Sequence, residues 1–447
     1  MKWKPYPKYR DSGVEWLGEV PAGWDAKPLG SVARVKARLG WRGLKADEYV
    51  DDGYPMLATP NIKDFGIDFE SVVYVSEERY LESPEIMLQD GDVLLAKDGS
   101  TLGTVNVVRS LPRPSTLNGS IALIRPSASL DPVYTYYWFR GDYVANLIQS
   151  LKGGMGVPHL FQSDLRKFRM LIPPSDEQSL IALSLDRETA KIDILVAKQE
   201  RLIELLQEKR QALISHAVTK GINPDAPMRP SGVEWLGDVP AHWTIAALAY
   251  RYEVALGKML DGKQIVGDQL AAYLRNVDVQ WDRISVADLP EMDFAPSDRS
   301  RFSLRPGDLI VCEGGDVGRA AIWEGQLREC YYQKALHRLR AHKKGRDNGR
   351  FMLYVLWDSA SKCRFTASEG RSTIAHLTAE ALRRYLFAFP PKDEQTRIVL
   401  HLDRECAKVD ALLSKVGDAI TLMREHRTAL ISAAVTGKID VREPIHA

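Results

Sequence analysis

PPSDEQSLIALSLDRETAKIDILVAKQERLIELLQEKRQALISHAVTKGI, Pro173 to Ile222, comes back almost word for word at Pro390 to Ile439 as PPKDEQTRIVLHLDRECAKVDALLSKVGDAITLMREHRTALISAAVTGKI. Gln395 and Gln178, Asp403 and Asp186, and Ala429 and Ala212 are each 217 positions apart. The chain is therefore an internal duplication, and a fixed long period has to be settled before any local reading. Each copy predicts a long helix. A ladder alternating steps of four and three falls on Ile181, Leu185, Ile192, Leu195, Leu202, Leu206 and Leu213, with Glu188, Gln199 and Lys209 as its polar rungs. The second copy places Ile398, Leu402, Val409, Leu412, Val416, Ala419, Met423 and Leu430 on the same ladder, interrupted by Glu405 and His426. Fifteen apolar rungs of twenty exceed the roughly nine that a 45% hydrophobic composition supplies. A stripe that narrow predicts that the two helices bury their stripes on each other as an antiparallel coiled coil; the plainer alternative is that each packs on its own neighbouring domain. Asp176 and Asp393, shared by both copies, are the expected helix caps.

At 447 residues the chain is long enough for two to four domains, and 27% charged residues beside 45% hydrophobic ones is ordinary globular composition. Cys312, Cys330, Cys363 and Cys406 show no CxxC spacing, which suits a reducing cytosol and argues against structural zinc or disulfides. MKWKPYPKYR has charge but no apolar segment behind it, and no window approaches the roughly eighteen apolar residues of a membrane span. A cytoplasmic protein is expected. Net charge is only +1, so any phosphate-binding surface has to be local. Residues 1–175 hold 21 basic and 21 acidic residues, 223–392 hold 24 and 21, and the helical stretches 176–222 and 393–447 are each one unit negative. The helices are not the part expected to meet phosphate.

DSGVEWLGEVPAGW (Asp11 to Trp24) reappears as PSGVEWLGDVPAHW (Pro230 to Trp243), so the duplication includes the start of each half. Such Trp and Pro words usually anchor an extended opening segment by packing. Between opening word and helix, each half is about 150 residues of short apolar runs broken by Gly, Asp, Asn and Pro, which predicts a strand-rich globule with some helix. GDVLLAKDGSTLGTVNVV (Gly91 to Val108) and GDLIVCEGGDVGRAAIW (Gly307 to Trp323) read as matched hairpins turning at Asp98-Gly99 and Gly314-Gly315. Each is a plain hairpin or a loop whose exposed backbone approaches a ligand. Arg328 to Arg350 holds eight basic residues (Arg328, Lys334, Arg338, Arg340, Lys343, Lys344, Arg346, Arg350) against Glu329 and Asp347, with Tyr331 and Tyr332 beside them. That run is a solvated face or a phosphate-contacting surface. KGGMGVPHLFQSDLRKF (Lys152 to Phe168) matches EGRSTIAHLTAEALRRY (Glu369 to Tyr385), aligning His159 with His376. A lone matched His is more often a structural hydrogen-bonding group than a reader of bases, although Gly-rich sequence before a helix suits close approach to a partner. Strands are expected at Phe168 to Ile172 and Tyr385 to Phe389.

No catalytic constellation emerges. Pro-Pro stands only after Ile172 and Phe389, with Ser175 and Lys392 behind it, so the Asn/Asp-Pro-Pro-aromatic word of an adenine methyltransferase is missing. GKMLDGKQ, Gly257 to Gln264, fits a phosphate loop up to Lys263, but Gln264 stands where Ser or Thr must reach magnesium. It reads as loop. No spacing supports a metal site.

The tandem SGVEWLG…P..W openings, the paired PP.DEQ…LDRE.AK.D helices and the closing ALIS.AVT words resemble the specificity subunit of type I restriction-modification enzymes, across essentially the whole chain. The resemblance implies an α+β protein with a pseudo-two-fold internal repeat. Its parts would be target-recognition domain 1 over 1–175, a spacer helix over 176–222, target-recognition domain 2 over 223–392, and a second long helix with a C-terminal tail over 393–447. It implies a non-catalytic subunit in which each domain reads half of a split, asymmetric double-stranded DNA sequence. The helices would space the domains and dock methyltransferase subunits, two being expected. Those subunits would bring S-adenosylmethionine, and restriction subunits would bring ATP hydrolysis, translocation and magnesium-dependent cleavage; this chain would hold no cofactor or metal. The candidate DNA contacts are then Lys97, Asp98, Ser100, Thr101, Lys152 and His159 in the first half. In the second they are Glu313, Asp316, Arg319, Lys334, Arg338, Lys343, Lys344, Arg346, Arg371, Ser372, Thr373 and His376. The near-neutral first domain suggests that partner subunits supply part of its phosphate contact. Two rival readings are a stand-alone nuclease or methyltransferase and a scaffold that binds only protein. Methyl transfer or cleavage by the chain alone would favour the first, and an assembled complex without DNA sequence preference the second.

Overall fold

A computed structural model describes residues 2–15, 17–38, 44–45, 48–151, 159–259, 267–343, 345–365 and 376–445. The chain divides into two units, Met1–Glu200 with Gly417–Ala447, and Arg201–Val416. In unit 1 the apolar runs pair as antiparallel strands β1 (Ala33–Lys36), β2 (Val93–Ala96), β3 (Val105–Val107) and β4 (Ile121–Pro126), in the order β3-β2-β4-β1. All four residues of β2 are buried, and alternation explains how. Val93 and Leu95 point into one core with Ala122 and Ile124, while Leu94 points into a second core with Ile121 and Leu123. A strand covered on both faces reads as a continuous apolar run, which is what VLLA is.

Before α1 (Ser175–Lys220) the unit adds the helix Pro132–Phe139, capped by Asp131, and the strand Arg169–Ile172. Unit 2 repeats the plan with β5 (Tyr252–Leu256), β6 (Leu309–Cys312), β7 (Ala320–Ile322) and β8 (Leu336–Ala341) in the order β5-β8-β6-β7, followed by the helix Gly349–Ser361, the strand Leu386–Phe389 and α2 (Lys392–Val435). Both expected hairpins are present, β2 with β3 and β6 with β7.

Each unit's core takes residues from both long helices. Unit 1 buries Ile181, Ala182 and Leu185 of α1 with Leu430, Ile431 and Ala434 of α2. Unit 2 buries Ile214, Ala217 and Val218 of α1 with Ile398, Val399 and Leu402 of α2. Within unit 1, Asp193 pairs with Arg427 at 2.9 Å and Glu200 with Arg424 at 2.8 Å; within unit 2, Arg210 pairs with Asp410 at 3.1 Å. The helices thus meet each other and their domains at once, because the apolar face is wider than a two-residue stripe.

That width corrects the ladder. Leu195 and Leu412, expected in the seam, are 47% and 48% exposed, whereas Val196 next to the first is 9% exposed. The buried steps run four then seven through Leu185, Thr189 and Val196 and four then three through Leu402, Cys406 and Val409, where the ladder after Leu185 and Leu402 steps three before four. Apolar residues fill both phases, so the count alone could not choose between them. The caps are corrected too. The helices start at Ser175 and Lys392, and the amides of Gln178 and Gln395 donate to the Pro174 and Pro391 carbonyls at 3.0 and 2.9 Å. Asp176 and Asp393 lie inside the first turn and act on the positive end of the helix dipole.

Beyond the helices, Gly221 and Gly437 take left-handed backbone at φ +77° and +71°, and a Cβ on Gly437 would come within 2.4 Å of Pro21 Cδ. Turned there, the chain of unit 1 runs Asp440–Ile445 antiparallel to Lys2–Lys4. Among the described residues no helix is long and apolar enough to cross a membrane.

Candidate nucleic-acid interface

The hairpin turns are held by the segment that carries the matched histidines. In unit 1 the Lys97 amide donates to the Ser120 carbonyl at 2.9 Å, and the Leu160 amide donates to the Lys97 carbonyl at 2.9 Å. In unit 2 the Glu313 amide donates to Ala335 at 2.9 Å and the Leu377 amide to Glu313 at 2.7 Å. The same two stitches therefore tie hairpin, returning strand and histidine segment together in both units.

The side chains on this frame differ. In unit 1, Asp98 meets His159 Nδ1 on one carboxylate oxygen and Lys97 Nζ at 3.4 Å on the other, and the His159 ring lies 4.5 Å from the exposed ring of Phe161. Ser100 is exposed and Thr101 half-buried at the turn, while Lys97 is buried. In unit 2, Asp316 and His376 are exposed and Glu313 is half-buried. Arg319 donates to the Asn276 carbonyl at 3.1 Å and side-chain oxygen at 2.8 Å, which fixes it across the turn. Behind the frame, His337 is fully buried with Nε2 2.6 Å from the Leu377 carbonyl, and burial holds its pKa below the usual histidine value. Its ring is neutral and structural.

The basic run separates into two groups. Arg338 is 2% exposed, donating to Glu253 at 2.9 Å and to the Arg301 carbonyl at 2.9 Å; its burial removes it from the candidate DNA contacts. Arg340 holds Asp308 through two bonds of 2.7 and 2.6 Å, and Arg350 bridges Asp403 and Asp282 at 2.7 and 2.8 Å. Arg338 and Arg340 stand on the strand Leu336–Ala341 and Arg350 in the first turn of the helix Gly349–Ser361, and each has found an acceptor. Lys334, Lys343 and Arg346 are exposed, and none pairs with a carboxylate among the described residues. Ala335, beside Lys334, takes φ +92°, a strained backbone for a residue with a Cβ. Lys152, Lys344, Arg371, Ser372 and Thr373 lie outside the described residues.

The spacing logic missed the polar members of the repeated helix words, which bind each helix to its own domain. Trp24 Nε1 donates to Glu177 at 3.0 Å and Trp243 Nε1 to Glu394 at 3.1 Å, so the opening word is anchored on the DEQ word in both copies. Gln178 accepts from the Asp131 amide at 2.7 Å, as Gln395 does from Asn348 at 2.8 Å. Tyr137 donates to Asp186 and Tyr354 to Asp403, each at 2.6 Å, and burial followed by the carboxylate acceptor raises both phenol pKa values. The signal was present: Tyr137 and Tyr354 are 217 apart, as are the two aspartates. Among the described residues no group of three or more His, Cys, Asp or Glu side chains could hold a metal ion.

A family model described as the type I restriction modification DNA specificity domain matches residues 21–204 and 294–416. The chain is 22% identical over 436 residues to the StySPI type I restriction enzyme specificity subunit of Salmonella potsdam, across 94% of this chain and 90% of that protein. It is 20% identical over 431 residues to the EcoKI specificity subunit of Escherichia coli (strain K12), with the same coverage, 94% and 90%. A solved chain from work on complex assembly and conformational transition of the type I R-M system has a TM-score of 0.73 at 17% identity, over 94% of this chain and 99% of that one. The HsdS subunit from Thermoanaerobacter tengcongensis gives 0.56 at 17%, over 94% and 98%. At such identities the structural likeness is one of fold.

Proposed function

Since the chain belongs to the family of type I restriction-modification specificity subunits, a DNA-recognition rather than a catalytic component, we propose that it reads a bipartite, asymmetric DNA target, one domain to each half-site. The observation that carries this reading is the pair of hairpin turns. Their backbone stitches are the same, yet one turn with its histidine segment carries Lys97, Asp98 and His159 and the other Glu313, Asp316 and His376. One scaffold with two different sets of side chains is what two different half-sites require, because bases are read by side-chain donors and acceptors in the groove. Ser100, Thr101, Asp98 and His159 face the first half-site, and Lys334, Asp316, His376, Lys343 and Arg346 the second. Residues 1–175 and 223–392 are the two recognition domains. The stretches 176–222 and 393–447 pair as an antiparallel coiled coil that spaces them and docks two methyltransferase subunits; the opposed numbering of the Asp193–Arg427 and Glu200–Arg424 pairs supports that direction. S-adenosylmethionine belongs to those partners, and ATP and magnesium to the restriction subunits, all in the cytoplasm.

The test is domain exchange. The assembled methyltransferase is sequenced for its methylated adenines before and after residues 223–392 are replaced by the second domain of another family member. One half-site is expected to change and the other to persist across an unspecified gap. A contiguous site, or a change in both halves, would overturn the reading.

A further inference from the structure

Each unit contains a pocket against the long helices that the DNA reading does not use. In unit 1 it measures about 580 Å³, in unit 2 about 200 Å³. Their helical walls correspond: Tyr137, Asp186 and Asp193 in the first are Tyr354, Asp403 and Asp410 in the second, and Arg427 answers Arg210. The fourth wall is the tip of a short hairpin. Ile62–Lys63 pairs with Gly66–Ile67 and presents Asp64-Phe65; Val279–Gln280 pairs with Arg283–Ile284 and presents Trp281-Asp282. One acid and one aromatic stand at both tips in opposite order. The arginine on the central aspartate also arrives by different routes, Arg109 at 2.7 Å from Asp186 and Arg350 at 2.7 Å from Asp403. Trp281 and Trp357 line the second pocket, 217 positions beyond Asp64 and Arg140 in the sequence.

Two routes through diverged sequence reach one composition: three aspartates, two arginines and an aromatic wall. Each pocket is thus one unit negative, and the carboxylates at the hairpin tips, Asp64 and Asp282, stay 71% and 49% exposed although Arg140 and Arg350 reach them at 3.4 and 2.8 Å. A phosphate is repelled there, while a guanidinium or ammonium gains both the charge and the aromatic faces. We infer that the pockets are matched sockets for a basic side chain, Arg or Lys, on the same segment of two copies of one protein partner. Resting on the docking reading above, that partner is the methyltransferase subunit.

The full-length chain is mixed with the purified methyltransferase subunit of its own system, and stoichiometry is read by native mass spectrometry and titration calorimetry. The wild type binds two copies. Asp64→Lys and Asp282→Lys each weaken one of the two sites by about tenfold or more, the double variant weakens both, and Asp64→Glu with Asp282→Glu restores two. Equal thermal unfolding of the Lys and Glu variants shows that the loss is not one of folding. Two copies bound at wild-type affinity by the double Lys variant overturn the sockets alone, as does a change of preferred bases with stoichiometry intact, which would give the tips to DNA. A wild type that binds no methyltransferase subunit overturns the docking reading and the sockets with it.

Discussion

Single side chains in the basic run show how little a charge count says about a surface. Of the described basic residues from Lys334 to Arg350, Arg338, Arg340 and Arg350 are held by Glu253, Asp308, Asp403 and Asp282, so they belong to the fold. Lys343 and Arg346 remain in solvent. Replacing both with Ala is expected to weaken DNA binding on all sequences alike and to flatten the salt dependence by about two units of slope, roughly 0.9 for each phosphate no longer neutralised. Base preference, followed by competition between target and non-target duplexes, is expected to stay as it was. An unchanged salt slope would return these residues to the role of a solvated face. Arg338→Ala acts differently, taking a buried donor from Glu253 and the Arg301 carbonyl and leaving the Ser303 carbonyl to Arg340, so its effect belongs to stability.

Elements were legible to the extent that their signals were local. The two hairpins, the strands after the histidine segments and the long helices all announced themselves through turn residues, apolar runs and Pro-Pro stops. The phase of the helix seam did not, because Leu195, Leu202 and Leu412 supply apolar character on the outward side while Thr189, Arg210 and Arg427 occupy inward positions. Neither did the purpose of Glu177, Gln178 and Asp186, whose partners lie 153, 47 and 49 residues away. A pattern scan sees spacing along the chain and is blind to such closures. The corrected phase makes a direct comparison possible within unit 1. Val196→Ala removes two buried carbons and is expected to cost about 1.6 kcal/mol, at roughly 0.8 per buried methylene, whereas Leu195→Ala on the solvent side costs well under that. Urea denaturation of the two variants measures the order, and a larger loss from Leu195→Ala would restore the original ladder.

For the molecule as a whole, helix length becomes a ruler if the domains ride on the ends of α1 and α2. Four residues inserted after Lys198 add about 6 Å of rise and about 40° of rotation while keeping a seam step of four. Against a base-pair rise of about 3.4 Å, the unspecified gap in the DNA target is expected to lengthen by about one or two base pairs with both half-sites intact. Methylated-site sequencing reads it directly, and an unchanged gap in an active complex would assign the spacing to something other than helix length. The pairing of Lys2–Lys4 with Asp440–Ile445 bears on how such a chain is made. Unit 2 is a single run from Arg201 to Val416, but unit 1 needs residues from Gly417 onward. At about 5–20 residues per second, the ribosome therefore finishes the second half's unit before the first half has its last strand and the Gly417–Val435 stretch of α2. The first domain to emerge is the last to be completed. A message cut short after the codon for Val416 encodes all of unit 2 but leaves unit 1 without Gly417–Ala447, so on the reading proposed above it is expected to abolish recognition by the first half and spare the second.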